Sequence, residues 1–296
     1  MTRALSLPDL VAEVERQLEA AGLSFGHGTL GAHDEAAWLT LHALGLPLDT
    51  DIGAHTDAIA PAAQARVQAL LHERIATRKP LAYLTHEAWL QGVPFYVDER
   101  AIVPRSLIAE AIADGGIDPW LSGQTRRVLD LCTGNGSLAC LAALAWPDVC
   151  VTGSDISADA LDVARINVQR HDLQARVQLA RGNGLAACPG PWDLILCNPP
   201  YVNARGMATL PPEYRAEPAL ALAGGADGMD FIRALLHDLR AAPHLSPHGV
   251  LVLEIGHERA HFDAAFPGLP VNPLATRAGE DQVLLITAQA LELWSE

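Results

Sequence analysis

Asn198-Pro199-Pro200-Tyr201 directly follows the apolar run Asp193-Leu194-Ile195-Leu196-Cys197. Such a run, free of polar side chains past Asp193, predicts a strand buried on both faces of a parallel sheet. Two prolines end it abruptly, because neither can donate to a ladder and each fixes its own φ at about −65°. They leave a rigid platform at the carboxyl end of a strand, where open α/β sheets bind their ligands. The amide oxygen of Asn198 and the carbonyl of Pro199 offer two acceptors, and Tyr201 an aromatic face. Together they can hold a planar NH2 group still. Read blandly, the same four residues are a strand-ending turn with a core tyrosine, and the neighbouring segments decide between the two.

The first of these is Asp130-Leu131-Cys132-Thr133-Gly134-Asn135-Gly136-Ser137. Gly134 and Gly136 allow a sharp turn between a strand and a helix and a close backbone approach to a ligand. Alone this is a weak signal, since such turns often serve packing. It gains weight from Asp155, about twenty residues on at the end of the next strand, where a carboxylate can accept both ribose hydroxyls. Cys132 stands where a dinucleotide fingerprint has its first glycine, and no third glycine follows. The pattern therefore favours a mononucleoside ligand over a dinucleotide.

A second chemistry has to be weighed. His257-Glu258-Arg259-Ala260-His261 matches the H-E-x-x-H pattern of zinc proteases. It sits immediately after a strand and Gly256, and no downstream helix offers a third ligand. We read the chain as metal-free. Arg105 and Glu110 can contact a substrate, position the connector described below or form an interdomain ion pair.

These groups need elements to hold them. From residue 126 onward strands alternate with helices, the signature of a doubly wound parallel sheet. Strands are expected at 128–131, 149–154, 177–180, 194–197, 250–255 and 282–287, and helices at 137–145, 158–171 and 228–241. Ser157 is the expected N-cap of the second helix, with Leu161, Ala164 and Val168 facing the sheet. The stretch before residue 80 reads as all-helical. Leu7, Leu10, Val11, Val14 and Leu18 share one face behind Pro8, a second helix spans 35–44, and a third spans 61–76 with Val67, Leu70 and Leu71 inward. Residues 87–97 read as two short strands around a glycine-containing turn.

Composition bounds the function. The chain has 296 residues, a net charge of −15 and 50% hydrophobic residues, with pI about 5.1. A protein whose main partner is a nucleic-acid backbone needs a basic footprint, which is missing here. An acidic surface suits a basic protein partner. Only Lys79 among the 20 basic residues is a lysine, a skew that GC-rich codon bias explains. No apolar run approaches the length of a membrane span, and Met1-Thr2-Arg3-Ala4-Leu5 lacks the apolar region of a signal peptide. Cys132, Cys140, Cys150, Cys188 and Cys197 show no paired framework, so they are expected as reduced, buried thiols of a cytoplasmic protein.

Taken together, Asp-x-Cys-Thr-Gly-x-Gly, the acidic end of the second strand and Asn-Pro-Pro-Tyr resemble class I S-adenosylmethionine-dependent methyltransferases, and more narrowly the protein-(glutamine-N5) methyltransferases. Pro80-Leu81-Ala82-Tyr83-Leu84, Ile102-Val103-Pro104-Arg105 and Glu217-Pro218 with Ala221-Leu222-Ala223-Gly224-Gly225-Ala226-Asp227-Gly228 are similar to further family landmarks. Phe25-Gly26-His27-Gly28-Thr29, Phe95-Tyr96-Val97-Asp98-Glu99-Arg100, Leu210-Pro211-Pro212-Glu213-Tyr214-Arg215 and Cys132 resemble the branch acting on large-subunit ribosomal protein L-three. The resemblance implies a Rossmann-like, seven-stranded class I methyltransferase domain at 105–296. A β-hairpin connector at 86–104 and a helical substrate-recognition domain at 1–85 would precede it. It implies S-adenosylmethionine as cofactor, held by Asp130, Cys132, Thr133, Gly134, Asn135, Gly136, Asp155, Asn183 and Asn198. Asn183 stands where the family often has an aspartate near the adenine. Asn198, Pro199 and Tyr201 would be catalytic, with Pro200 joining them against the substrate. The expected partner is ribosomal protein L-three, with neither membrane nor direct nucleic-acid binding. Three other readings stay open: the sister branch acting on peptide-chain release factors, an adenine-N6 methyltransferase, and a non-catalytic assembly factor.

Overall fold

The computed structural model of the chain describes residues 5–294, which fall into two compact units. The first takes residues 5–88 together with Leu210–Glu217. Its helices are α1 (Leu7–Ala20), α2 (Ala32–Leu44), α3 (Pro61–Thr77) and α4 (Leu81–Thr85). Ser6 caps α1, its hydroxyl accepting from the Asp9 N–H while Asp9 reaches back to the cap, and Pro8 occupies the first turn. Leu7, Leu10, Val11, Val14 and Leu18 are all buried, as their spacing predicts. On α3 the inward face is Val67, Leu71 and Arg74, whereas Leu70 is only half-buried.

A guanidinium inside a helical core needs compensation. Arg74 Nε donates to Glu35 Oε1 at 2.8 Å, and Arg78 Nη2 lies 2.7 Å from Glu213 Oε1. His27 Nε2 lies 3.5 Å from Glu217 Oε2, and its ring packs on Tyr214 with centroids 4.2 Å apart. The segment Leu210–Glu217 is thus fastened into the helical unit by buried charge. Removing one partner of such a pair typically costs about 3–5 kcal/mol, because the other is left buried and uncompensated.

The second unit takes residues 89–209 and 218–294. Strands β1 (Ala88–Leu90) and β2 (Val93–Phe95) form a two-stranded sheet. Gln91 and Gly92 join them, both at positive φ, the backbone that a two-residue hairpin requires. After α5 (Ile108–Ala113) come β3 (Arg127–Leu131), α6 (Ser137–Ala145), β4 (Cys150–Asp155), α7 (Ala158–Arg170), β5 (Val177–Arg181) and β6 (Trp192–Cys197). The chain then forms α8 (Ala204–Thr209), α9 (Asp230–Ala241), β7 (Leu245–Glu254), α10 (Arg259–Ala265), β8 (Asn272–Pro273), β9 (Val283–Thr287) and α11 (Ala288–Leu293).

The sheet has seven strands in the order β5-β4-β3-β6-β7-β9-β8. The pairs from β5 through β7 are parallel, and those of β9 with β7 and β8 are antiparallel. Residues of alternating parity feed two separate cores. Val128, Leu194, Leu196, Val250 and Val252 join α5 and α6 on one face. Leu129, Leu131, Ile195, Cys197, Leu251 and Leu253 join α9, α10 and α11 on the other. Two buried faces are why these strands read as unbroken apolar runs.

Strand order reverses at β3, which lies between β4 and β6, so the carboxyl ends of these three strands form the crevice where such sheets bind ligands. Strand β7 begins five residues before its apolar run, in a partly exposed stretch without a hydrophobic signal. Cys150 is exposed and Cys132 half-buried, so the expectation of five buried thiols holds only for Cys140, Cys188 and Cys197. No helix among the described residues is long and apolar enough to cross a membrane.

Candidate active site

Asp130 is the penultimate residue of β3 and is fully buried. Its Oδ2 accepts from the Thr133 hydroxyl and from the Ala139 N–H in α6, so it braces the turn from beneath. Burial pushes its carboxyl up to about 7, and nearby Asp155 adds to the rise. The chain then leaves β3 through Cys132 at φ 62° and Gly134 at φ 55°, before Gly136 at φ 79° starts α6. A non-glycine residue at such a φ is uncommon, and Cys132 holds it at the position where a dinucleotide fingerprint has glycine. A Cβ on Gly136 would meet Ala164 Cβ at 3.0 Å, so this glycine lets α6 and α7 approach closely.

Asp155 closes β4. Its Oδ2 accepts from the Gly134 N–H and its Oδ1 from the Ser157 N–H, each at 2.9 Å. Burial raises its carboxyl, while the N–H groups of Ser157, Gly134 and Ile156 pull it back down. Ser157 caps α7 as expected, accepting from the Ala160 N–H. The carboxylate thus ties the glycine-rich turn to the start of α7.

A cavity opens along these strand ends, lined by Cys132, Gly134, Asp155, Asn183, Asn198 and Pro200 among the residues expected at the site. Asp130, Thr133, Asn135, Gly136, Pro199 and Tyr201 are not on its lining. Tyr201 donates its hydroxyl to Glu254 Oε1 at 3.2 Å. Glu254 Oε2 in turn accepts from the Ser106 hydroxyl and the Leu107 N–H, and burial raises this carboxyl too. Glycine is required around this loop: a Cβ on Gly256 would meet the Tyr201 ring at 2.5 Å, and one on Gly228 the Tyr201 carbonyl oxygen at 2.3 Å. Tyr201, the last residue of the platform, is therefore wedged between backbone and a buried carboxylate.

Sequence reasoning missed several lining residues, among them Arg100, Ile156, Leu220 and Phe231. Ile156 and Leu220 were detectable only as apolar residues in loops, and both are exposed. Glu254 carried a clearer signal, an acidic residue at the end of an apolar strand. In the H-E-x-x-H segment, Glu258 Oε1 accepts from Asn203 Nδ2 at 2.6 Å and its Oε2 contacts His261 Nδ1 at 2.5 Å. Helix α10 begins only at Arg259, so His257 and His261 do not share a helix. No group of three metal-ligating side chains occurs among the described residues. Glu110 pairs with Arg277, Oε1 to Nε at 2.6 Å, and Arg105 Nη1 donates to the Val103 carbonyl.

The family described as Methyltransferase small domain matches residues 118–210, which run from just before β3 to just past α8. A ribosomal protein uL3 glutamine methyltransferase of Bordetella pertussis is 52% identical over 97% of this chain and 96% of its own length. The chain belongs to the ribosomal protein uL3 glutamine methyltransferase family. Members from Burkholderia pseudomallei and Neisseria gonorrhoeae are 49% and 45% identical over 96% and 97% of this chain, and over 94% and 95% of their own lengths. The fold is that of the hMettl16 catalytic domain solved in complex with MAT2A 3'UTR hairpin 6, with a TM-score of 0.52 at 14% identity over 79% of this chain and 82% of that one. As a member of this family the protein is an S-adenosylmethionine-dependent protein methyltransferase. Its cavity suits that cofactor: a single carboxylate stands at a strand end, apolar walls surround it, and the Asn198 amide is on the same lining.

Proposed function

We propose that this enzyme methylates the side-chain amide nitrogen of a glutamine in ribosomal protein uL3, in the cytoplasm, with Asn198, Pro199 and Tyr201 as its catalytic residues. The observation that carries the reading is that Asn198 and Asp155 line one cavity at the carboxyl edge of the sheet, in a chain about half identical to proteins of that name. Asp155 holds the ribose hydroxyls, Asn183 meets the adenine, and the turn through Cys132 and Gly134 gives the backbone close access. When bound, S-adenosylmethionine supplies an electrophilic methyl group carried on sulfonium.

A glutamine amide nitrogen is a poor nucleophile because its lone pair is delocalised into the carbonyl, as in a peptide bond. The Asn198 side-chain oxygen and the Pro199 carbonyl each accept one of its N–H groups, which fixes the nitrogen and favours its pyramidal form. Positive charge grows on that nitrogen, and two fixed carbonyl dipoles stabilise it without reorganising. Tyr201, held by Glu254 and backed by Gly256, packs against the substrate amide. No strong base is required, since an N-alkylated amide cation is highly acidic.

The helical region 1–85 serves as the substrate-recognition part, and the acidic net charge speeds encounter with a basic ribosomal protein. Deleting it would strand Glu213 and Glu217 without their partners, so surface substitutions are the better probe. The direct test offers the intact enzyme uL3, a peptide-chain release factor and adenine-containing DNA, with labelled cofactor. Label on a uL3 glutamine supports the reading. Label on the release factor alone moves the chain to the sister branch, and label on DNA alone overturns it.

A further inference from the structure

The cavity lining is mostly apolar or backbone, and its two ionic side chains among the described residues are Asp155 and Arg100. A ligand with a nucleoside half and an amino-acid half brings a diol, a carboxylate and an ammonium. The diol has its acceptor in Asp155. A carboxylate entering a largely apolar cleft loses hydration and needs a charged donor in return. Arg100 is the one cation on the lining that can meet it.

Arg100 is exposed, yet its guanidinium is held in place. Arg100 Nε donates to Asp98 Oδ1 at 2.9 Å and Nη2 to Asp98 Oδ2 at 2.7 Å, a two-pronged pair that leaves Nη1 outside it. Asp98, itself buried, also accepts the Arg100 N–H and the Tyr96 hydroxyl. Tyr96 is clamped in turn by Asn167 of α7, fully buried, whose Oδ1 accepts from the Tyr96 N–H at 2.7 Å. The Asn167 Nδ2 donates both to the Tyr96 carbonyl at 2.9 Å and to the Asn135 carbonyl at 2.8 Å. An unbroken chain of hydrogen bonds thus runs from the glycine-rich turn through Asn167, Tyr96 and Asp98 to Arg100. The turn and the guanidinium are fixed in one frame. A planar, permanently charged fork set this way matches a carboxylate better than a flexible ammonium would.

We propose that Arg100 is the subsite for the carboxylate on the methionyl half of the cofactor, with Asp98 as its positioning residue. The inference rests on the cofactor reading above and adds to it a residue that selects the amino-acid half. Asn183 and Asp155 serve the nucleoside half alone.

The test is calorimetric and does not depend on turnover. Full-length wild type, Arg100→Gln, Arg100→Lys and Asp98→Asn are titrated with S-adenosylhomocysteine and with 5′-methylthioadenosine, which keeps the nucleoside and thioether but lacks both carboxylate and ammonium. Arg100→Gln should raise the Kd for S-adenosylhomocysteine about 10- to 30-fold, the low end for a hydrogen bond to a charged group at a part-exposed site. Its Kd for methylthioadenosine should stay within about twofold of wild type. Arg100→Lys should recover part of the loss and Asp98→Asn show a smaller one, both again only for the ligand with a carboxylate. An equal loss for both ligands would mean that Arg100 merely shapes the cleft, and overturns the subsite. So does an unchanged S-adenosylhomocysteine affinity, whether or not the protein substrate's KM rises. If wild type binds neither compound, the cofactor reading itself fails, an outcome distinct from failure of the subsite alone.

Discussion

Asp130→Asn separates two roles that a buried carboxylate under the glycine-rich turn can have. Asp130 Oδ2 has two donors, the Thr133 hydroxyl and the Ala139 N–H, while Oδ1 is buried with no partner among the described residues. Burial holds the carboxyl at about 7 in the folded chain, against about 3.9 for an exposed aspartate. The folded state therefore keeps its proton after the unfolded state has lost it. Below about pH 4 both states are protonated and the group is neutral to stability. As pH rises from about 4 to 7 the unfolded chain ionises first, so stability falls, and above 7 the loss is complete. A difference of about three units corresponds to about 4 kcal/mol at most.

Asparagine keeps an acceptor for both donors and cannot ionise, so it mimics the protonated acid. Urea unfolding of the cofactor-free proteins should give similar stabilities at about pH 4 and an advantage of about 2–4 kcal/mol for Asp130→Asn at pH 8. Glu35, Asp155 and Glu254 are raised by burial as well and tilt both curves alike, so the difference between the curves isolates residue 130. Parallel curves from pH 4 to 8 would refute the argument. Cofactor affinity read on the same samples decides the other role. An unchanged Kd makes Asp130 a brace for the loop, and a large loss gives its unpartnered oxygen a place in cofactor binding.

Asp155→Ala should weaken S-adenosylmethionine binding by about 1.5–3 kcal/mol, the scale of hydrogen bonds to a charged acceptor, and unchanged calorimetric affinity would remove the ribose assignment. Asn183→Asp should keep or tighten binding, because an ionised acceptor makes the stronger bond to an adenine amino group; a large loss with an intact circular dichroism spectrum would mean that the adenine lies elsewhere. Asn198→Ala should lower kcat about 10²- to 10³-fold, by analogy with loss of one oxyanion-hole donor, with little change in cofactor Kd. A fall in Kd affinity that accounts for the whole loss of kcat/KM would place Asn198 on the cofactor instead of the amide.

Most of the second unit was legible because buried parallel strands announce themselves. The runs 128–131 and 194–197 lie within β3 and β6, since strands covered on both faces carry no polar alternation to blur them, and 177–180 lies within the edge strand β5, where Gln178 is exposed. Strand β8 escaped because a two-residue edge strand ending in Pro273 has no pattern to read. The same contrast runs through the cavity. Asp155 and Asn198 were legible because polar residues at the ends of apolar strands stand out, and Asp155 sits about twenty residues after the glycine-rich turn. Arg100 was not: it lies in a loop, and its place depends on Asn167, 67 positions away in the sequence, tying Tyr96 to the Asn135 carbonyl. The buried cluster of Arg74, Glu35, Arg78 and Glu213 was hidden for a related reason. On α3 the inward position after Val67 and Leu71 is a charged residue, Arg74, whose burial is compensated by Glu35 on another helix, while the distant segment Leu210–Glu217 folds into the same unit and supplies Glu213 to neighbouring Arg78. Local pattern reveals where a chain is apolar on one face or two. It does not reveal which distant groups will close on a segment, and in this protein such remote contacts set the Asn167 clamp behind Tyr96, Asp98 and Arg100 and fasten the 210–217 segment.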